Sequence, residues 1–333
     1  MRFIKANFPS DKSDAVIAAI ERCKTLDWSM DTGYGRFEKA VEIVVESGDG
    51  QALVDELQSL LSGTTDWRVV VLPIEATLPR PEIAEEKVDK EKSKTTSMRE
   101  ELYAKVSRDS TLNSDFILLT ILSAIVAAIG LNGDSVAIVI AAMVIAPLLG
   151  PILAFALASA LGDLTLMKQA TKTAFVGLII GFVCALLISV VMPVNLDSFE
   201  LTSRAIIGPE IIILALASGA AAALSLSTGI SSALVGVMVA VALLPPSVAS
   251  ALFLGAGDYQ GAMGAALLLG LNVVCAILSA QIVFVYKGVR PRRWVSQQKA
   301  VKAQKVNLVI WISLLIILAA LAYWLNVTTK MNG

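Results

Sequence analysis

Two short strings place the residues best able to do chemistry inside long apolar runs. They are APLLGP at 146–151 and ALLPPS at 242–247. The first carries Pro147, Gly150 and Pro151, and the second carries Pro245 and Pro246. Proline brings no amide N–H and clashes with the carbonyl four residues back, so each run is expected to kink or break at its middle. In hydrocarbon the freed carbonyls must find partners or line a wet cavity. Two interrupted segments at matching positions of two halves point to a midplane site. Unwound carbonyls there suit a cation, and free helix amides suit an anionic group. The plainer reading is a pair of proline kinks that shape packing.

Other polar groups lie in or beside the apolar runs. Asn272 sits in the middle of LLLGLNVVCAIL, where its amide must bond another helix or a substrate. Gln281 lies nearer the end of the same run. Asp115 and Glu210 each open a helix, where the positive dipole end favours a carboxylate; capping explains each, and a coupling charge for a cation or proton is the sharper reading. Ser123, Ser218, Ser225, Ser227 and Thr228 can line a path or bridge helices. Asp134, Asp163 and Asp258 read as turn residues at the membrane interface.

Enzyme chemistry finds little support. The chain has no histidine, which removes the commonest general base and metal ligand. Cys23, Cys184 and Cys275 form no CxxC pair, so neither a metal site nor a disulfide framework is indicated. No catalytic residue, cofactor or metal is assigned. No basic patch with interleaved aromatics supports nucleic-acid binding.

Sliding the chain on itself by 95 residues aligns Asp115 with Glu210, Ser123 with Ser218, Pro151 with Pro246 and Gly162–Asp163 with Gly257–Asp258, without a gap. Each copy contains three apolar runs, and an odd number makes the second copy run upside down, as in many secondary transporters. If the proline-containing runs are re-entrant hairpins instead, the copies become parallel and Lys168 and Lys172 fall outside.

The elements that position these residues follow from composition. Of 333 residues, 56% are hydrophobic and 17% charged, less charge than the roughly 25% of a soluble domain. The apolar runs are 116–131, 135–161, 173–192, 210–226, 231–256, 261–286 and 307–325. A helix needs about 20 apolar residues to cross the bilayer. We therefore expect a polytopic α-helical membrane protein of about seven helices, built from two three-helix repeats. Dense small residues at 215–225 and 261–270 predict tight helix packing or homo-oligomerisation. The connection 287–305 holds seven Lys and Arg residues, which places it, and by counting back the N-terminus, in the cytoplasm. The expected location is the plasma membrane, with no cleaved signal at the N-terminus.

The polar front reads as strand 2–8, helix 11–24, strands 26–32 and 37–46, helix 50–61 and strand 66–74, the order of a small α+β ferredoxin-like βαββαβ domain. It is expected to bind a ligand, pair subunits, or act as a structural cap. The domains are 1–78, a charged linker and amphipathic connector at 79–110, membrane repeats at 111–192 and 193–286, the basic loop 287–305, and a final helix in 306–333.

The strings AAMVIAPLLGPILAFALA (141–158), GVMVAVALLPPSVASALFLG (236–255) and GLNVVCAI (270–277) resemble a prokaryotic family of hydrophobic membrane proteins known as domain of unknown function 389. The residues that fit its pattern are Pro147, Gly150, Pro151, Pro245, Pro246 and Asn272. The resemblance implies a polytopic membrane protein and carries no substrate. The functional expectation therefore rests on the repeat and the prolines. It is a transporter or channel that moves an ion or small solute across the lipid bilayer. The alternative is a non-transporting scaffold or sensor, favoured by the scarcity of charge near the centre of any span.

Overall fold

The computed structural model describes residues 1–33, 37–46, 50–74, 99–228, 232–289 and 308–324, with side chains from residue 243 onward in the segment that begins at 232. Most of the basic connection 287–305, with Trp294, and the stretch 79–98 of the expected linker lie outside the described residues. The chain divides into two compact units, Met1–Leu102 and Tyr103–Gly333.

The first unit holds β1 (Arg2–Phe8), α1 (Ser13–Arg22), β2 (Asp27–Thr32), β3 (Lys39–Val45), α2 (Gly50–Leu61) and β4 (Arg68–Pro73). The strands form one sheet in the order β2-β3-β1-β4, with every neighbouring pair antiparallel. Alternation in β1 sends Ile4, Ala6 and Phe8 to one face, and β3 adds Val41, Ile43 and Val45. Val16 and Ile20 of α1 and Leu53, Leu57 and Leu61 of α2, at helical spacing, close this core. The first turn of α3 (Arg99–Asp109) bonds within this unit, through Arg99 to Asp55 at 2.7 Å and Arg2 to Glu101 at 2.8 Å.

Before β3, Glu38 accepts from the Ser10 hydroxyl at 2.5 Å and from the Ser10 amide at 2.9 Å. These two bonds, the hydroxyl's first, hold the Glu38 carboxyl below the usual carboxylate range. A depressed carboxylate stabilises the fold above its unfolded pKa, and that contribution disappears as pH falls through the depressed value. Titration of the Glu38 side-chain carbon by NMR should show a midpoint below that of an exposed glutamate. Ser10→Ala should return it towards the ordinary value.

The second unit is helical: α4 (Ser114–Asn132), α5 (Val136–Ile145), α6 (Leu149–Leu161), α7 (Leu164–Val191), the single turn α8 (Phe199–Thr202), α9 (Pro209–Thr228), α10 (Ser232–Gly255), α11 (Tyr259–Tyr286) and α12 (Leu308–Trp324). Among the described residues, four helices are long and apolar enough to cross a membrane: α4, α7, α9 and α11. The bent pair α5–α6 makes a fifth if it is one span, and α12 and the described part of α10 are shorter apolar helices.

Hydrogen bonds and close contacts give the helix directions. Near its start, α7 touches the residue that leads into α4, since Thr173 donates to the Ser110 carbonyl at 2.8 Å. Beyond the far end of α7, the Pro193 carbonyl accepts from Asn132, the last residue of α4, at 3.1 Å. Thus α4 and α7 run side by side in one direction. The segment between them returns across the same thickness, along α4 through Ser123 Oγ to the Ala142 carbonyl and on to Asp163, which accepts from Tyr103 at 2.8 Å. The return therefore runs opposite to α4 and α7. Ala215 of α9 packs with Leu271 and Cys275 of α11, and Ile207, just before α9, with Leu268. These two helices are therefore also parallel to each other. They start from the end of α7, where Gly255 closes on Ser189, and run opposite to α4 and α7.

The residues expected to be turns do more than turn. Gly162 and Gly257 take φ of 70° and 79°, the left-handed region that favours glycine. Asp163 then caps α7 by accepting from the amides of Thr165 and Leu166, and Asp258 caps α11 through Gln260 and Gly261. Asp134, at φ 53°, holds the 193–208 connection by accepting from the Glu200 amide at 2.8 Å.

Candidate functional site

The first proline string breaks its helix. Ala146, the residue before Pro147, is extended at ψ 121° and ends α5, as expected where the proline ring disfavours helical backbone in the preceding residue. The chain resumes as α6 at Leu149, bent by 54° from α5. Pro147 offers no amide to the Met143 carbonyl, and Pro151 offers none to the Pro147 carbonyl. Polar backbone is thereby left at the break.

That backbone borders an open cleft of about 440 Å³. Met143, Val144, Ala146, Pro147, Leu149 and Gly150 form one wall. Phe116, Leu119 and Leu226 extend the apolar lining, while Lys105, Arg108, Asp109, Thr111, Asn113 and Asp115 supply the polar lining. Gly150 is required where the backbone passes Asp109, because a Cβ there would collide with the Asp109 carbonyl. The cap of α4 is Asn113, which accepts from the Phe116 amide at 2.8 Å. Asp115 is therefore not the side-chain cap, and its exposed carboxylate lies in the first turn beside the cleft.

The second proline string behaves differently from the expectation of a matching interruption. Pro245 and Pro246 lie inside the continuous helix α10. Their neighbours Leu243, Leu244, Ser247 and Val248 are all buried. Adjacent prolines remove amides from one turn only, whereas Pro147 and Pro151 remove them from successive turns. Dense packing then holds α10 straight enough to remain helical.

The two strings nevertheless meet the same helix face. A Cβ on Gly177 of α7 would lie 2.8 Å from Leu148, and one on Gly181 would lie 3.6 Å from Leu244. These glycines form a GxxxG pair one turn apart, which lets neighbours approach closely.

Of the expected site residues, the structure gathers Asp115, Pro147 and Gly150 at the cleft, and Pro151 is buried just behind it. Glu210 is exposed at the start of α9, on the opposite side of the helical unit from Asp115. Ser123 binds α5 to α4 at 2.6 Å, and Ser218 donates back to the Leu214 carbonyl within α9. Asn272 is buried in α11 and is not without a partner. Gln281 is buried with its Oε1 unpartnered. Sequence reasoning passed over Lys105, Arg108, Asn113 and the Gly177/Gly181 pair. The GLIIG string and the polar Asn-Ser-Asp before the first apolar run were the available signals. Among the described residues, no group of three or more Cys, Asp or Glu could hold a metal ion, and all three cysteines are free.

Apolar helices of spanning length with capped ends, one broken over a cleft, define a multi-pass helical membrane protein. Residues 143–278 match the model of the family described as Domain of unknown function (DUF389). An uncharacterized protein of Methanocaldococcus jannaschii is 33% identical over 276 residues, covering 83% of this chain and 85% of the relative. The chain belongs to the DUF389 family. No solved structure matches it.

Proposed function

We propose that this protein moves an ion or small solute across a cell's plasma membrane, through a path that passes the break between α5 and α6. The observation that carries the reading is the cleft at that break. Continuous packed helices need no unpaired backbone at membrane depth, and irregular backbone is tolerated there where it borders a cavity. Asp115 is the coupling charge of this proposal, and Glu210 is its counterpart on the other side.

Two three-helix repeats of inverted orientation form the scaffold of this reading. Its support is the spacing of the elements. Helices α7 and α11 both have 28 residues and start 95 positions apart, as do the starts of α4 and α9. The Gly-Asp caps follow at the same offset, and α4 and α9 run in opposite directions. With α10 and α12 counted as spans beside the α5–α6 pair, seven crossings result. The N-terminal unit is then cytoplasmic, supported by the basic connection 287–305, and ferredoxin-like, supported by its βαββαβ order and its β2-β3-β1-β4 sheet. It senses a ligand or pairs subunits into a homo-oligomer.

One observation favours the rival reading of a scaffold or sensor: the second proline string is continuous and buried. Reconstitution of the purified full chain into liposomes separates the two. The expected result is flux of at least one species from a panel of Na⁺, K⁺, H⁺, Cl⁻ and small neutral and zwitterionic solutes, lowered by Asp115→Asn while the protein stays monodisperse. Absence of flux across the whole panel leaves the scaffold or sensor.

A further inference from the structure

The cleft is lined by both charged and apolar side chains. Lys105 and Arg108 of α3 face the space together with Asp109 and Asp115. Two cations and two carboxylates make that group neutral in sum but strongly polar. Apolar side chains, Leu119 and Val144 among them, line the same space. Leu119 is 40% exposed and Val144 is 62% exposed, on apolar helices.

A small inorganic ion leaves the apolar lining unused, and a plain hydrocarbon chain leaves four charges unmatched. A ligand that uses both has a charged head and an acyl chain. The head must carry both signs, because a purely anionic head would face Asp109 and Asp115, while a purely cationic one would face Lys105 and Arg108. We infer that the cleft is a binding site for a zwitterionic phospholipid. The head phosphate lies against Lys105 and Arg108, the head ammonium against Asp109 and Asp115, and one acyl chain passes over Leu119 and Val144. Basic side chains at the membrane surface recognise phosphate heads electrostatically, and their aliphatic stems can lie on apolar surface beneath. At about 440 Å³ the cleft accommodates the head and the first part of a chain, and the remainder stays in the bilayer. The lipid would occupy the cleft that the transport reading uses, but its binding is read without any solute flux.

Native mass spectrometry of the full chain in detergent, titrated with phosphatidylethanolamine or phosphatidylglycerol, tests it. The wild type should retain one phosphatidylethanolamine per chain under activation that strips other lipids, and should retain less phosphatidylglycerol. Lys105→Ala with Arg108→Ala should lower that occupancy about tenfold or more. Asp109→Asn with Asp115→Asn should keep a bound lipid and lose the preference for phosphatidylethanolamine. Lys287→Ala, outside the cleft, should change nothing. Equal retention of the two lipids by the wild type overturns the inference without recourse to any variant. So does unchanged retention in the double alanine variant, or equal loss with Lys287→Ala. Liposome flux does not enter this readout, so the lipid site and the transport reading fail separately.

Discussion

Gly219→Leu is expected to destabilise the helical unit strongly, by on the order of 3 kcal/mol through overpacking. A Cβ at Gly219 of α9 would lie 2.6 Å from the Cα of Ala276 and 2.7 Å from its carbonyl oxygen on α11, and would collide with Ser279 Oγ. The obstacle is helix backbone, which cannot move aside as a side-chain end can. Even Gly219→Ala should therefore lower the thermal transition measured in detergent. Gly270 of α11 provides the contrast. Among the described residues, a Cβ there would meet only the Leu318 methyls, at 3.7 and 3.8 Å, ordinary van der Waals contact. Gly270→Ala should leave stability unchanged or raise it by up to about 1 kcal/mol, the helix-propensity difference. If the two alanine variants shift the transition alike, close backbone approach is not what Gly219 provides.

Pro147→Ala should affect function and stability in opposite senses. The substitution restores an amide opposite the Met143 carbonyl and lifts the restriction on Ala146, so α5 can extend towards α6. Stability should hold or rise, because an unmade backbone bond becomes available. Flux through the reconstituted protein should fall about tenfold, which corresponds to ~1.4 kcal/mol on the crossing barrier. Parallel thermal melts and liposome assays give both readouts. Full flux in a stabilised Pro147→Ala protein would remove the break from the transport path. The same substitution at Pro245 should leave flux unchanged, because α10 is already continuous there.

The length and spacing of apolar runs determined much of this protein without help from tertiary contacts. Bilayer thickness imposes a run length, so the spanning helices were legible. Alternation in RFIKANF and helical spacing in GQALVDELQSLL fixed β1 and α2, because one-faced burial demands those periods. The Gly-Asp pairs read as turns in the sequence, and the structure shows that their carboxylates also cap the helices that follow. Proline strings were equally visible, but their consequences were not. APLLGP broke its helix and ALLPPS did not, although each removes two amides. The difference lies in the neighbours: Leu243, Leu244, Ser247 and Val248 are buried, whereas Pro147 and Gly150 border the cleft beside α3. The inverted copies expected from the sequence already put Asp115 and Glu210 on opposite sides, but not a cleft beside Asp115. Both stand in the first turn of a helix, and only packing puts Asp115 at a cleft and leaves Glu210 away from it. Residues far apart in the chain meet through packing, and packing is the term that local sequence does not carry.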